Sequence, residues 1–248
     1  MRRQLQENTL RFRFNQICRS RDYKGATEFQ RDLGELIPGK PSRKRFETIC
    51  GLDISFDKKS KVIYAAASIH SLPDLGQLED ATLRSKIDFP YVPGLLAFRE
   101  GPAILELIAK LKMPLDLLIF DGQGLAHPRG AGIASMIGLL TNAPSIGCAK
   151  SRLVGEYEEP GIEKGSVSDL FYRGNVVGAV LRSRGSVKPV FVSVGYKIEL
   201  GRAIEIVLSC CRRYRLPEPI RRAHMLANRL RQERSPGNLD GGEAGILR

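Results

Sequence analysis

Two runs rich in β-branched and small apolar residues, Thr48 to Phe56 and Lys61 to Ile69, flank the polar turn Asp57-Lys58-Lys59-Ser60. Strand-forming residues broken by so short a polar turn read as a β-hairpin. After the hairpin, helical and strand patterns alternate. A helix is predicted from about Leu95 to Lys112, with Ile104, Leu107, Ile108 and Leu111 on one face and Pro114 beyond its end. Leu115 to Phe120 reads as a buried strand and runs into the glycine-rich loop Asp121-Gly122-Gln123-Gly124. A second helix over roughly Gly132 to Thr141 and a strand over Pro144 to Ala149 come next. Val176 to Leu181 and Val190 to Val194 read as strands either side of a polar turn, and helices near Leu200 to Arg213 and Pro217 to Arg231 close the pattern. A weaker strand is read at Thr82 to Ile87, and Phe29, Leu33, Leu36 and Ile37 mark a short amphipathic helix stopped by Pro38-Gly39. A leading hairpin followed by alternating elements argues for an α/β domain with a mixed sheet, parallel at its centre and antiparallel at its edge.

Charge divides the chain. Residues 1–24 carry Arg2, Arg3, Arg11, Arg13, Arg19, Arg21 and Lys24 and read as a basic extension, helical or loosely ordered. Residues 25–234 hold the folded domain, with Ser42-Arg43-Lys44-Arg45 as a basic linker inside it, and residues 235–248 read as a disordered tail. The whole chain has a formal charge of +12, which favours a polyanionic partner. The extension's arginines can contact phosphates but show no base-reading frame, so it is expected to add affinity and not selectivity. No apolar run approaches the roughly 20 residues of a membrane span. The basic N-terminus leads into no apolar stretch, against a secretory signal. Five cysteines at spacings that suit no metal point to reduced thiols and a cytoplasmic setting. Three histidines are too few for a His-rich zinc site.

Three carboxylates fall in costly places. Asp53 lies inside the strand Ile49-Cys50-Gly51-Leu52-Asp53-Ile54, where an ionised side chain needs a partner. Asp121 ends the apolar run Leu117-Leu118-Ile119-Phe120, at the strand end where open α/β sheets bind ligands. Glu100 precedes Ile104 by four residues and Leu107 by seven, so it continues the apolar stripe of its helix. Each taken alone fits an ion pair, a turn cap or a stripe edge. Together, hard oxygen ligands at a strand end suit Mg²⁺ or Mn²⁺ and, in a basic chain, phosphodiester chemistry. His224 lies near the start of a helix opened by Pro217-Glu218-Pro219, and by spacing alone a semi-buried histidine accounts for it. Lys150 at a strand end suits either a phosphate or the open surface.

Several stretches in order resemble the endonuclease V family: Gly51-Leu52-Asp53-Ile54-Ser55; Pro90-Tyr91-Val92-Pro93-Gly94 running into Leu95-Leu96-Ala97-Phe98-Arg99-Glu100; Asp121-Gly122-Gln123-Gly124-Leu125-Ala126-His127-Pro128-Arg129; Gly132-Ile133-Ala134-Ser135; Gly147-Cys148-Ala149-Lys150-Ser151; and Pro217-Glu218-Pro219 through His224. The resemblance spans about residues 26 to 232. It implies a ribonuclease H-like fold and Mg²⁺-dependent cleavage beside inosine in RNA or deoxyinosine in DNA, one nucleotide beyond the lesion on its 3′ side, by a monomer. It implies Asp53, Glu100 and Asp121 as metal-site carboxylates, His224 as a fourth member and Lys150 near the scissile phosphate. Pro90, Tyr91, Val92 and Pro93 would form a wedge that parts the strands. Leu96, Gly122, Gly132 and Ile133 would line the pocket for the flipped base.

Met136 and Tyr196 stand where many members have histidine, and the N-terminal extension is longer than usual. Two other readings explain part of the pattern. Another ribonuclease H-like nuclease with a different structure-specific substrate would need the same carboxylates. A non-catalytic nucleic-acid-binding protein on this fold would explain the charge but not the three acids.

Overall fold

Two helices precede the sheet in the computed structural model, which describes residues 2–34, 36–37, 40–42, 45–57, 60–233 and 246–247. The expected Pro38-Gly39 stop and parts of the basic linker and hairpin turn lie outside the described residues, as does most of the 235–248 tail. Helix α1 (Arg2–Ser20) falls in the segment read as an extension. It sinks Phe14, Ile17 and Cys18 into the main core, where Phe14 lies 5.3 Å from Phe98 by ring centroids. Helix α2 (Tyr23–Gly34) begins six residues before the predicted Phe29 and buries Ala26, Phe29, Gln30 and Leu33. Leu36 and Ile37 follow its end.

The predicted hairpin is present as β1 (Thr48–Asp57) and β2 (Val62–Ser71), paired antiparallel from Thr48↔Ser71 to Asp57↔Val62. Strand β3 (Gln77–Lys86) extends it and is longer than its sequence pattern, because main-chain pairing to β2 carries an exposed Gln77-Leu78 start that has no apolar alternation. Helix α3 (Leu96–Lys110) then crosses to β4 (Leu117–Phe120), which lies parallel to β1. Helix α4 (Ile133–Thr141) crosses in turn to β5 (Ser145–Ala149), parallel to β4. Strands β6 (Val167–Tyr172), β7 (Asn175–Leu181) and β8 (Val190–Tyr196) continue antiparallel on the far side. Helices α5 (Leu200–Cys210) and α6 (Glu218–Glu233) follow. The two-residue β9 (Ile246–Leu247) pairs with β3.

The sheet order is β6-β7-β8-β5-β4-β1-β2-β3-β9. Its centre, β5-β4-β1, is parallel and both flanks are antiparallel, the mixed arrangement expected from the alternation and that of a ribonuclease H-like fold. Strand β6 escaped the reading because only Leu170 of its six residues is buried. Period-2 side chains assign the two faces. Cys50, Leu52, Leu118 and Phe120 pack toward α1 to α4, whereas Ile49, Leu117, Ile119 and Ile146 pack with Ala203 and Val207 of α5. Ala66 of β2 takes Ala223 and Ala227 of α6. All five cysteines are buried and unpaired. Among the described residues no helix is long and apolar enough to cross a membrane.

Candidate active site

Helix α6 runs alongside β1 in matched steps. Gly51 abuts Pro219 and Ile220, Asp53 pairs with His224, and Ser55 pairs with Asn228. Two strand residues rise about 6.6 Å and four helical residues about 6.0 Å, so the elements stay in register over three contacts. Gly51 sets the spacing, since a Cβ there would fall 2.1 Å from the carbonyl carbon of Pro219.

This register produces a polar chain. His224 Nδ1 lies 2.7 Å from Asp53 Oδ2, and Asn228 Nδ2 lies 2.9 Å from His224 Nε2. Asn228 Oδ1 accepts from Ser55 Oγ at 2.9 Å and from Arg231 Nη2 at 3.4 Å. With its oxygen so used, the amide donates to Nε2 and the imidazole donates from Nδ1 to Asp53. Asn228 carries no motif of its own, and its only sequence signal is its i,i+4 spacing from His224; Ser55 closes the Gly51-to-Ser55 stretch, but nothing there signals its pairing with Asn228.

Asp53 lies within β1, directly after the Leu52↔Phe120 pair, and Asp121 directly follows the end of the parallel β4, so the two are level; Glu100 reaches them from the second turn of α3. The three repel one another. Burial, then the charge of Asp121, raises the Asp53 pKa, against the hydrogen bond and charge of His224. Glu100 keeps some solvent exposure. Even so, the protein packed around its carboxyl, followed by Asp53, pushes its pKa up to about 8; Arg99 opposes this and Asp121 adds to it. Lys150 Nζ donates to Asp121 Oδ2 in a short ion pair. The Lys150 carbonyl in turn accepts from Arg215 Nη2 at 2.6 Å, a support that the sequence did not signal.

Among the described residues no three His, Cys, Asp or Glu side chains close into a metal cage. Asp53 is taken up by His224 and Asp121 by Lys150, which accounts for that openness. The donor set still suits Mg²⁺, which keeps several waters and needs only one or two carboxylates from the protein. Asp53 and Glu100, whose pKa values are raised, and Asp121, whose charge repels both, are the groups a divalent cation would stabilise.

Beside Asp121 and Lys150 opens a cavity of about 340 Å³. Tyr91, Val92, Leu96, Gly122, Gly132 and Ile133 all line it. Pro90 lines the adjoining cleft, and Pro93 lines neither cavity. Tyr91 is 66% exposed on the loop before α3 and is therefore not packed away against that helix. Gly132 and Gly124 serve close packing of the backbone: a Cβ at Gly132 would lie 2.2 Å from the Gln123 carbonyl oxygen, and one at Gly124 would lie 2.0 Å from that of Val194. A larger cavity of about 790 Å³ lies at the β6 edge, but its lining of Glu156, Glu158 and Asp169 opposes a polyanion.

The Tyr91 loop is anchored at Gly94, whose φ of +76° suits glycine. Its carbonyl accepts from Arg129 Nη2 at 2.7 Å and from His127 Nε2 at 3.1 Å. Arg129 Nε also donates to Gln30 Oε1 of α2 at 2.6 Å. His127 and Arg129 stand in a motif already quoted, but the anchoring role comes from the fold. Met136 and Tyr196 both lie in the main core, Met136 fully buried against Gln30 and Tyr196 at the end of β8.

Comparison with known proteins agrees with this geometry. A family model described as Endonuclease V matches residues 33–225. An Endonuclease V of Dictyoglomus turgidum is 45% identical over 210 residues, covering 85% of this chain and 91% of that protein. The crystal structure of an Endonuclease V from Streptomyces avermitilis superposes with a TM-score of 0.81 at 39% identity, covering 85% of this chain and 93% of that one. Endonuclease V of Ciona intestinalis, solved with a 24mer DNA containing an inosine followed by a ribo-adenosine, superposes with a TM-score of 0.72 at 28% identity, covering 84% and 96% of the two chains.

Proposed function

The chain belongs to the endonuclease V family, and from that premise we propose that it is a Mg²⁺-dependent endonuclease that cuts nucleic acid on the 3′ side of inosine or deoxyinosine. The observation that carries the reading is the meeting of Asp53, Glu100 and Asp121 beside a cavity rimmed by Tyr91. A non-catalytic nucleic-acid binder would have no use for such costly acids.

On this reading Asp53, Asp121 and Glu100 would hold the cation, with Mn²⁺ able to substitute for Mg²⁺. The bound cation would supply water activation and neutralise charge developing on the phosphate. His224 holds Asp53 in place through its Nδ1 proton and offers Nε2, after release from Asn228, as a proton acceptor. Lys150, paired with Asp121 here, is placed where its ammonium would neutralise the scissile phosphate. The cavity receives the flipped base, which unstacks at lower cost when it is damaged or mispaired. Tyr91 fills the gap left in the stack.

The test is a nicking assay on inosine-containing and matched adenine oligonucleotides, in DNA and RNA, with Mg²⁺ or with EDTA. Mg²⁺-dependent scission confined to the inosine strands is expected. Equal cutting of adenine controls would favour a structure-specific nuclease instead.

A further inference from the structure

Tyr91 lines two cavities, not one. Besides the cavity beside Asp121, it lines a separate cleft of about 680 Å³ that contains none of Asp53, Glu100 or Asp121. Its walls carry three aromatic rings with substantial exposure, Tyr23 at 47%, Phe56 at 38% and Tyr91 at 66%. Arg99 stacks over Phe56 at 4.9 Å, and Arg21 and Lys61 supply two further cations. Asp57 and Asp88 also line the cleft, which leaves one surplus positive charge from three cations and two acids. Such a surface suits the faces of bases more than a run of phosphates.

The α1–α2 junction builds one wall. Arg21 takes a left-handed φ of 56° between the two helices, and Tyr23 opens α2 with its ring edge-on to Phe89 at 5.4 Å. Phe89 directly precedes Pro90 and Tyr91, so the junction and the Tyr91 loop are braced together. Arg21 and Tyr23 both lie outside residues 33–225 matched by the family model.

We propose that this cleft takes the unstacked nucleotide of the complementary strand opposite the flipped base, held between Tyr23 and the Arg99–Phe56 pair. The assignment rests on the proposed function. The inosine strand must stay on the Asp121 side, because the scissile phosphate is there. A strand parted from it by Tyr91 is left on the other side, where the stacking surfaces are. A single-stranded substrate has no such nucleotide and leaves the cleft unused.

The experiment is equilibrium binding of the full chain in EDTA to fluorescent inosine oligonucleotides, duplex and single-stranded, with adenine controls. Tyr23→Ala is expected to weaken inosine-duplex binding by about 5–10-fold and to leave single-stranded binding unchanged, with Tyr23→Phe restoring it. Because Tyr23 also touches Phe89, the Arg21→Ala/Lys61→Ala double variant, which leaves that ring contact in place, is expected to show a smaller loss with the same duplex preference. Equal losses on duplex and single strand, or no loss on either, would overturn the cleft assignment. Wild-type protein that binds inosine and adenine duplexes alike would overturn the functional reading on which it rests.

Discussion

Gly51 and Pro219 are packed so closely that no other residue fits at 51: an added Cβ would lie 2.1 Å from the Pro219 carbonyl carbon and 2.2 Å from its oxygen. Backbone on both sides leaves no flexible side chain to yield. Gly51→Ala is therefore expected to push the start of α6 off β1, costing about 1–3 kcal/mol of stability. Its sharper effect is on the partners further along the same register, Asp53–His224 and Ser55–Asn228. Single-turnover cleavage should fall further than the loss of stability explains. Wild-type rates in a folded Gly51→Ala protein would show that the register does not matter.

The N-terminal helix is expected to matter for stability first. Phe14 is fully buried and rests on Gly101, where an added Cβ would lie 2.7 Å from its Cζ, one residue from Glu100. Phe14→Ala should cost about 3–5 kcal/mol. Deleting residues 1–24 should lower the melting temperature markedly, besides reducing the salt dependence expected from charge alone. A deletion with unchanged thermal stability would mean that α1 packs only loosely.

Acid sensitivity should carry a His127 component. Burial, followed by the charge of Arg129, lowers its pKa from 6.5 to about 4. Its Nε2 donates to Gly94 while Nδ1 accepts the Arg129 backbone N–H, so the fold holds the neutral ring. Below 6.5 the unfolded chain takes up this proton and the folded chain does not, so stability falls as the pH drops toward 4, by roughly 3 kcal/mol in all. Glu100 acts in the opposite sense between 4.5 and about 8, since its folded form binds the extra proton. Comparing wild type with His127→Gln at each pH cancels that contribution. The variant should show a shallower acid slope, and parallel curves would contradict the assignment.

Tyr91→Ala should leave the melting temperature within about 0.5 kcal/mol-equivalent of wild type, as for an exposed side chain. It should weaken cleavage of inosine duplexes about tenfold and spare single strands. Equal losses on every substrate together with a lower melting temperature would identify a packing residue instead.

Much of this site could be read before the fold was known, for a physical reason. Asp53 and Asp121 break apolar strands, where a carboxylate costs energy, and Glu100 sits on an apolar helical stripe, so each stands out against its neighbours. The alternation of elements likewise announced the parallel centre of the sheet. Asn228 and its pairing with Ser55 did not stand out, because a polar residue on a helix or near a strand end costs nothing until α6 is laid on β1 across 173 residues of sequence. Tyr23 and Arg21 looked like part of a solvated basic segment, since their wall of the cleft exists only after α1 packs and the chain turns at Arg21. Strand β6 was missed because it is a mostly exposed edge strand, paired through its main chain to β7.

The central claim is that Asp53 and Asp121 serve a cation that cuts beside inosine, and single-turnover scission tests it most directly. Wild type, Asp53→Asn and Asp121→Asn would be compared on one inosine strand with Mg²⁺, with binding measured in parallel in EDTA. The account predicts Mg²⁺-dependent cutting on the 3′ side of inosine by wild type alone, with both folded variants still binding the strand and yielding no product. Normal cleavage by either variant at saturating Mg²⁺ would contradict it.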